Sequence, residues 1–310
     1  MVSRRDWIKT AGLAISAGGV ASAKEEGCGI AIGTYGLQSM PLAEAVQLIA
    51  KTGFNAFEIT VFPGTTGDPV KFLKTQDQIH TLRDQIADSG LRLSALMGDL
   101  KPEEDDQKHV EQLSELRTMI ELARALSPND PPVIQTILGG KVWETSKFLF
   151  RDRLADWNRI LADQKGYLSI KPHRSHAMGV PEDAKWLLDQ LGNPRRLRMV
   201  YDYSHYAFLE PRREIPETVE VALPITNYVA VKDAVEVEGK VRFALAGESG
   251  NWDHADIIEA FYDGGYRGDF CCEVSSQIWR NDPKYSPVAA TERCYQNLKS
   301  AFDRAGVTAL

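Results

Sequence analysis

The sequence has no apolar run of about 18 residues, so an ordinary membrane-spanning helix is excluded. Its cysteines number four, Cys28, Cys271, Cys272 and Cys294, and no two stand in a C-x-x-C pair. A zinc knuckle or a dithiol motif is therefore not expected, and buried free thiols are. A surplus of positive charge is also missing. Lys and Arg total 36 against 43 Asp and Glu, for a net charge of -7. A nucleic-acid binder usually shows a basic face, so no nucleic-acid partner is expected. Nor is there a G-x-G-x-x-G loop after the first strand-like run. Ile32-Gly33-Thr34-Tyr35-Gly36 lacks the spacing that cradles a dinucleotide. The composition is otherwise that of a globular protein, 43% hydrophobic and 25% charged over 310 residues.

At the start of the chain, Ser3-Arg4-Arg5-Asp6-Trp7-Ile8-Lys9 resembles the twin-arginine export signal of bacteria. A weakly apolar stretch follows from Thr10 to Val20, and Ala21-Ser22-Ala23 reads as a small-x-small cleavage site. The chain is thus expected to divide into an export signal over 1–23 and a folded domain over 24–310. The resemblance implies a periplasmic protein that crosses the membrane already folded.

From residue 29 onward, short β-rich runs alternate with amphipathic helical runs. Strands are expected at Gly29–Thr34, Ala56–Val61, Leu91–Leu96, Pro132–Ile137, Tyr167–Lys171, Leu197–Asp202, Thr226–Lys232 and Asp269–Val274. Helices are expected near 41–52, 72–88, 107–126, 145–163, 181–191, 214–224, 254–264 and 287–305. The helices carry physical signatures. Leu42, Ala45, Val46 and Ile49 make one apolar stripe that ends at Gly53. Pro181 opens a helix, and Glu182 and Asp183 suit its positive end. Asp253 is placed to cap the helix that starts after it. The strands are mostly apolar, as in a parallel sheet covered by helices. Eight βα units without a break in composition predict an α/β fold, a single (β/α)8 barrel.

A barrel gathers its active site at the carboxyl ends of its strands. The residues expected there are Glu58, Gln135, Lys171 with His173, Asp202 with His205, Lys232, and Glu273. Ionisable groups at the ends of otherwise apolar strands are costly unless paired or bound to a ligand. A structural layer of ion pairs and a ligand site both satisfy that requirement. Arg174 is a candidate for holding an acidic group on a substrate, and Trp252 for stacking on a sugar ring.

Several segments in order carry a family resemblance. Leu42-Ala43-Glu44-Ala45 through Gly53-Phe54-Asn55-Ala56-Phe57-Glu58 begins it. Asp202-Tyr203-Ser204-His205 is a D-x-x-H on strand six, and Val231-Lys232-Asp233 is the end of an H-x-K-D on strand seven. Gly247-Glu248-Ser249-Gly250-Asn251-Trp252-Asp253 is a Gly-rich loop, and Gly264-Gly265-Tyr266-Arg267-Gly268 leads to Glu273. Together they resemble the xylose-isomerase-like barrel family, the sugar phosphate isomerase/epimerase group that includes endonuclease IV. The resemblance implies one divalent cation held by a Glu on strand five, an Asp on strand six, a His on strand seven and a Glu on strand eight. It also implies proton transfer by the two Glu carboxylates beside a sugar carbonyl.

Two of those four positions differ here. Lys171 stands where the strand-five Glu belongs, and Ala230 where the strand-seven His belongs; Asp202 and Glu273 remain. A protonated ammonium cannot ligate a metal and repels a cation. Three readings follow: Lys171 replaces the metal between Asp202 and Glu273; or one Mn, Mg, Co or Zn is held by Asp202, His205 and Glu273; or the pocket only binds a carbohydrate. The favoured expectation is isomerisation, epimerisation, or elimination/hydration of a small carbohydrate or keto-sugar. Glu273 is then the base, Lys171 and His205 steady the enediolate oxygen, and His173 serves as acid. Glu58, Gln135, Arg174, Lys232 and Trp252 contact or orient the sugar. A periplasmic carbohydrate-binding barrel without catalysis is the alternative, and oligomerisation is left open.

Overall fold

The computed structural model describes residues 27–310 except 70, 72 and 281, so the expected export segment 1–23 lies outside the described residues. Eight parallel strands close a barrel in the order β1-β10-β7-β6-β5-β4-β3-β2. They are β1 (Gly29–Gly33), β2 (Ala56–Thr60), β3 (Arg92–Met97), β4 (Val133–Thr136), β5 (Leu168–Ile170), β6 (Leu197–Tyr201), β7 (Thr226–Val231) and β10 (Asp269–Cys272). The remaining pair, β8 (Asp233–Val237) and β9 (Lys240–Ala244), is an antiparallel hairpin that follows β7. The helices α1 (Leu42–Thr52), α2 (Gln76–Ser89), α3 (Asp106–Leu126), α4 (Trp143–Gln164), α5 (Pro181–Gln190), α6 (Ile215–Ala222), α7 (His254–Asp263) and α9 (Pro287–Ala305) connect the strands or follow the last. A short α8 (Ser276–Trp279) sits after β10. No described helix is long and apolar enough to cross a membrane.

The fold is therefore the single (β/α)8 barrel that the alternating pattern predicts. Two elements depart from expectation, each for a local reason. Helix α2 starts at Gln76 because Thr75 and Gln78 form a reciprocal capping box, which fixes the start four residues later than the apolar pattern suggests. The β8–β9 hairpin turns on Glu238 and Gly239, whose φ values of 52° and 71° are those a two-residue primed turn requires.

Two apolar regions stabilise the barrel. The larger lies between the strands and the helices, and takes Ile32, Phe57, Leu96, Ile134, Met199 and Phe270 from the outward faces. The smaller lies inside the barrel and combines Tyr228 with small side chains, among them Ala31, Ala56, Ala95, Val133, Val200, Ala230 and Cys271. Cys271 and Cys272 point to opposite faces as adjacent strand residues must, Cys271 inward and Cys272 outward. All four cysteines are buried free thiols.

Candidate active site at the carboxyl mouth of the barrel

The two-residue period of a strand sets the site. Two positions beyond Ala56, Val133, Val200, Ala230 and Cys271 stand Glu58, Gln135, Asp202, Lys232 and Glu273, all directed along the same inner face. Lys171 follows β5 in the same manner, two positions after Ser169. Small side chains in the layer below leave room for long ones above them to converge on the barrel axis.

They converge as an ionic tetrad. The Lys171 ammonium lies between Asp202 (Oδ2, 2.9 Å) and Glu273, to which it also donates a hydrogen bond. The Lys232 ammonium donates to Asp202 Oδ2 at 2.6 Å and to Glu273 Oε1 at 2.8 Å. Its third direction faces His205 Nε2 at 3.2 Å. An ammonium has three protons and no acceptor, so Lys232 is saturated within the protein. Among the described residues Lys171 has two partners, which leaves one N–H uncommitted. The Ser204 hydroxyl donates to Asp202 Oδ1 at 2.6 Å, and the Asp202 amide donates to the Tyr206 hydroxyl at 3.0 Å. Asp202 is wholly buried, while the Glu273 side chain keeps 12% of its surface exposed. The tetrad holds two charges of each sign.

The charges fix one another. Burial pushes the Glu273 carboxyl up, but the Lys171 and Lys232 ammonium groups outweigh it and hold it down at about 2. Asp202 is held well below the carboxylate range by the same two ammonium groups against the same penalty. Burial favours the neutral form of Lys171, yet Asp202 and Glu273 keep it charged well above the usual lysine range. Burial and the nearby Lys232 push His205 down to about 4, and burial followed by His205 and the lysines pushes His173 lower still. Both imidazoles are neutral at pH 7.

On the same inner face, Gln135 donates a side-chain hydrogen bond to Glu58, which is 1% exposed. Gly33 makes the room: a Cβ there would stand 2.8 Å from Glu58 Oε1. Burial first, and the charge of Glu273 second, raise the Glu58 pKa to about 7. An acid with a raised folded pKa costs stability as pH climbs from its ordinary value toward the raised one. Glu58→Gln is therefore expected to raise the melting temperature at pH 8 with little gain at pH 4, for roughly 3 kcal/mol at most from the size of the shift. Thermal unfolding at the two pH values checks this, and an equal effect at both would refute it.

A cavity of about 390 Å³ opens above the tetrad. Its wall includes Gln135, Lys171, His173, His205, Lys232 and Glu273, together with Tyr35, Phe62, Phe243 and Gln277. The last four were not singled out in the sequence. Phe243 comes from the β8–β9 hairpin, and its ring meets His205 (5.2 Å between centroids) and the Lys232 ammonium (4.9 Å). The alternation around Glu238-Gly239 is a hairpin signal that could have found it. Tyr35, in the 3-10 turn Thr34–Leu37 after β1, and Phe62, in the loop after β2, pack edge to face at 5.8 Å; no local pattern announces them. Three expected contacts are not on this wall, and the first, Glu58, is buried and bonded to Gln135. Trp252 packs against Tyr203 and Phe208 instead, and Arg174 is half-buried, within reach of the charge of Glu236 in the hairpin. Lys232 is on the wall but has no proton left for a sugar, and neutral His173 is not a charged acid. A larger groove of about 450 Å³ between α1 and α2 has Asp77 as its one ionisable lining group among the described residues.

The alternative cation set of Asp202, His205 and Glu273 does not fit a divalent ion. Both carboxylates are engaged by two ammonium groups, and His205 Nε2 faces one of them. A dication would have to displace two fixed positive charges from the buried oxygens it needs. Among the described residues no group of three or more His, Cys, Asp or Glu is arranged to hold a metal.

Fold and site together define a parallel barrel with an ionic cluster at its carboxyl mouth. Residues 46–302 match the xylose isomerase-like TIM barrel family, and the chain belongs to that family. This is a sugar isomerase/epimerase/dehydratase-like group of barrels. Among solved structures, the IolI protein with a bound zinc atom has 14% identity and a TM-score of 0.74, over 89% of this chain and 99% of that one. An L-ribulose 3-epimerase has 15% identity and a TM-score of 0.69, over 90% and 96%. A fusion of such a barrel with a 4-hydroxyphenylpyruvate dioxygenase has 16% identity and a TM-score of 0.69; the match covers 90% of this chain and 43% of that one. Comparison with curated proteins gives no match.

Proposed function

We propose that the barrel binds a small carbohydrate in its keto form and moves a proton at the carbon beside the carbonyl, giving isomerisation, epimerisation or elimination. The observation that carries this reading is the pair of ammonium groups bridging Asp202 and Glu273 at the floor of an aromatic-lined cavity. Two monocations supply the same charge as one dication. Lys171, with one N–H uncommitted, donates to the carbonyl oxygen and stabilises the enediolate as charge develops. Glu273, ionised and partly exposed, takes the proton. As the enediolate draws on the Lys171 charge, Glu273 is less firmly held and becomes more basic. Asp202 and Lys232 keep these two groups in place, while Gln135, oriented by Glu58, contacts a sugar hydroxyl. Export of the folded domain through the signal at 1–23 is part of the same proposal.

The test is hydrogen exchange in D2O with ketopentoses, ketohexoses and 3-keto-glycosides, followed by proton NMR. Deuterium is expected to enter the carbon beside the carbonyl of at least one sugar. Glu273→Gln is expected to reduce that rate by about 10²–10⁴-fold, the range of a general base. Exchange that survives this substitution would remove Glu273 from the role. Tight sugar binding without exchange would favour a carbohydrate-binding barrel.

A further inference from the structure

The positive charge around the cavity is already committed. Lys232 spends its three protons on Asp202, Glu273 and His205, and the Phe243 ring stands 4.9 Å from its ammonium. Lys171 keeps one N–H, which the function proposed above gives to the carbonyl oxygen. No arginine lines the cavity among the described residues. Lys101 is off the wall, and its ammonium is bound at 2.9 Å by Asp99, whose own side chain is on the wall and 44% exposed. The backbone donors are taken as well. The N–H groups of Gly98, Lys171 and Glu273 go to the carbonyls of Gln135, Thr136 and Val231. The short helix α8 starts at the wall, but the Ser275 hydroxyl already accepts the Gln277 N–H at 3.3 Å. A phosphate or carboxylate needs uncommitted cations or amides. With both imidazoles neutral, Asp99, Asp202 and Glu273 against Lys171 and Lys232 leave one negative charge in surplus.

What remains for a ligand is neutral. The Gln277 side-chain oxygen accepts the Phe243 N–H at 3.0 Å, which leaves its amide protons for sugar hydroxyls. Gln135 gives one amide proton to Glu58 and keeps the other. Tyr35, Phe62 and Phe243 offer rings to the C–H face of a sugar. We infer that the cavity selects an uncharged keto-sugar, with neither phosphate nor carboxylate, and that Asp99 is a specificity-determining residue that turns anions away at the rim. The keto group in this inference rests on the function proposed above; the charge preference rests on the donors and charges of the wall. An anion on the floor would have to draw Lys171 or Lys232 off the buried carboxylates, and that leaves a buried charge unpaired. At the rim, Asp99 repels an anion and holds back Lys101, the cation that would otherwise receive it.

The test is deuterium incorporation by the whole chain into matched pairs, each ketopentose and ketohexose beside its own terminal phosphate. The neutral member of a responsive pair is expected to exceed its phosphate by at least about 10²-fold in kcat/KM, the scale of unpaired and like-charge contacts. A phosphate that exchanges as fast as its parent sugar, or faster, would overturn the inference and leave the keto-sugar reading intact. Asp99→Lys reverses the rim charge and frees Lys101. It is expected to raise kcat/KM on the phosphate by about tenfold while the neutral sugar stays within about threefold, and Asp99→Asn is expected to fall between. An unchanged ratio in Asp99→Lys would remove Asp99 from the role. If no member of either series exchanges, the keto-sugar reading fails. Calorimetric binding of D-glucitol against D-glucitol 6-phosphate, which have no carbonyl, then decides the charge preference alone. Tighter binding of D-glucitol would support it. Tighter binding of the phosphate would overturn it, and binding of neither would remove it together with the reading.

Discussion

Lys171→Met is expected to lower kcat/KM on a responsive keto-sugar by about 10²–10³-fold, the loss that follows removal of one fixed donor at a developing oxyanion. Methionine keeps the length of the side chain and removes the charge. The effect should fall on kcat more than on KM, because the ammonium gains most from the substrate once charge has moved onto its oxygen. Lys171→Arg should not restore the rate. A planar guanidinium cannot occupy the tight space between Asp202 and Glu273 in the geometry of an ammonium. Steady-state kinetics on the three proteins decides the matter. A Lys171→Met enzyme within about threefold of the parent would mean that this amine is a structural counter-ion.

The second large effect is on stability. Lys232→Met is expected to destabilise the barrel by about 3–5 kcal/mol, the usual cost of stripping one partner from a buried ion pair. Lys232 is 1% exposed and all three of its protons are engaged, so its loss leaves Asp202 and Glu273 facing each other with one counter-charge. Urea denaturation at pH 7 measures this. The pH dependence provides an internal check. Glu273 is held at about 2 against an ordinary 4.5, so it contributes stability above its unfolded value, and the contribution is lost as pH falls through the folded one. The size is roughly 3 kcal/mol. In the parent protein this gives a decline in stability between about pH 4.5 and 2. With Lys232 gone, Glu273 titrates closer to its ordinary value and the decline flattens. A variant with unchanged stability and an unchanged acid limb would show that solvent reaches the tetrad.

Some of this site follows from strand periodicity and some does not. Placing Lys171 near Asp202 and Glu273 needs only the parallel order of neighbouring strands and the alternation of side chains. The same alternation puts Lys232 on the inner face, yet sequence alone cannot divide its three protons among Asp202, Glu273 and His205. That division depends on barrel diameter and on the small residues beneath, Ala230 and Cys271 among them. It turns an expected sugar contact into an internal counter-charge. Trp252 and Arg174 stand away from the cavity wall because both lie in loops, where direction is set by partners far away in sequence. Phe243 was missed with its hairpin, although Glu238-Gly239 carried the turn chemistry. The helix starts at Asp253 and Thr75 show both outcomes of reading caps. Asp253 receives the Ala255 N–H as expected. The Thr75–Gln78 box was legible but overridden by an apolar pattern that begins too early.

The central claim is that two ammonium groups stand where a divalent cation would otherwise bind the carboxylates of this barrel. Isothermal titration of the metal-stripped protein with Zn2+, Mn2+ and Mg2+ at pH 7, run beside Asp202→Asn, tests it most directly. The account predicts no binding that depends on Asp202 in the parent chain, and the appearance of a site in Lys171→Glu, where a third carboxylate joins Asp202 and Glu273. About one equivalent of metal bound to the parent and lost in Asp202→Asn would contradict it.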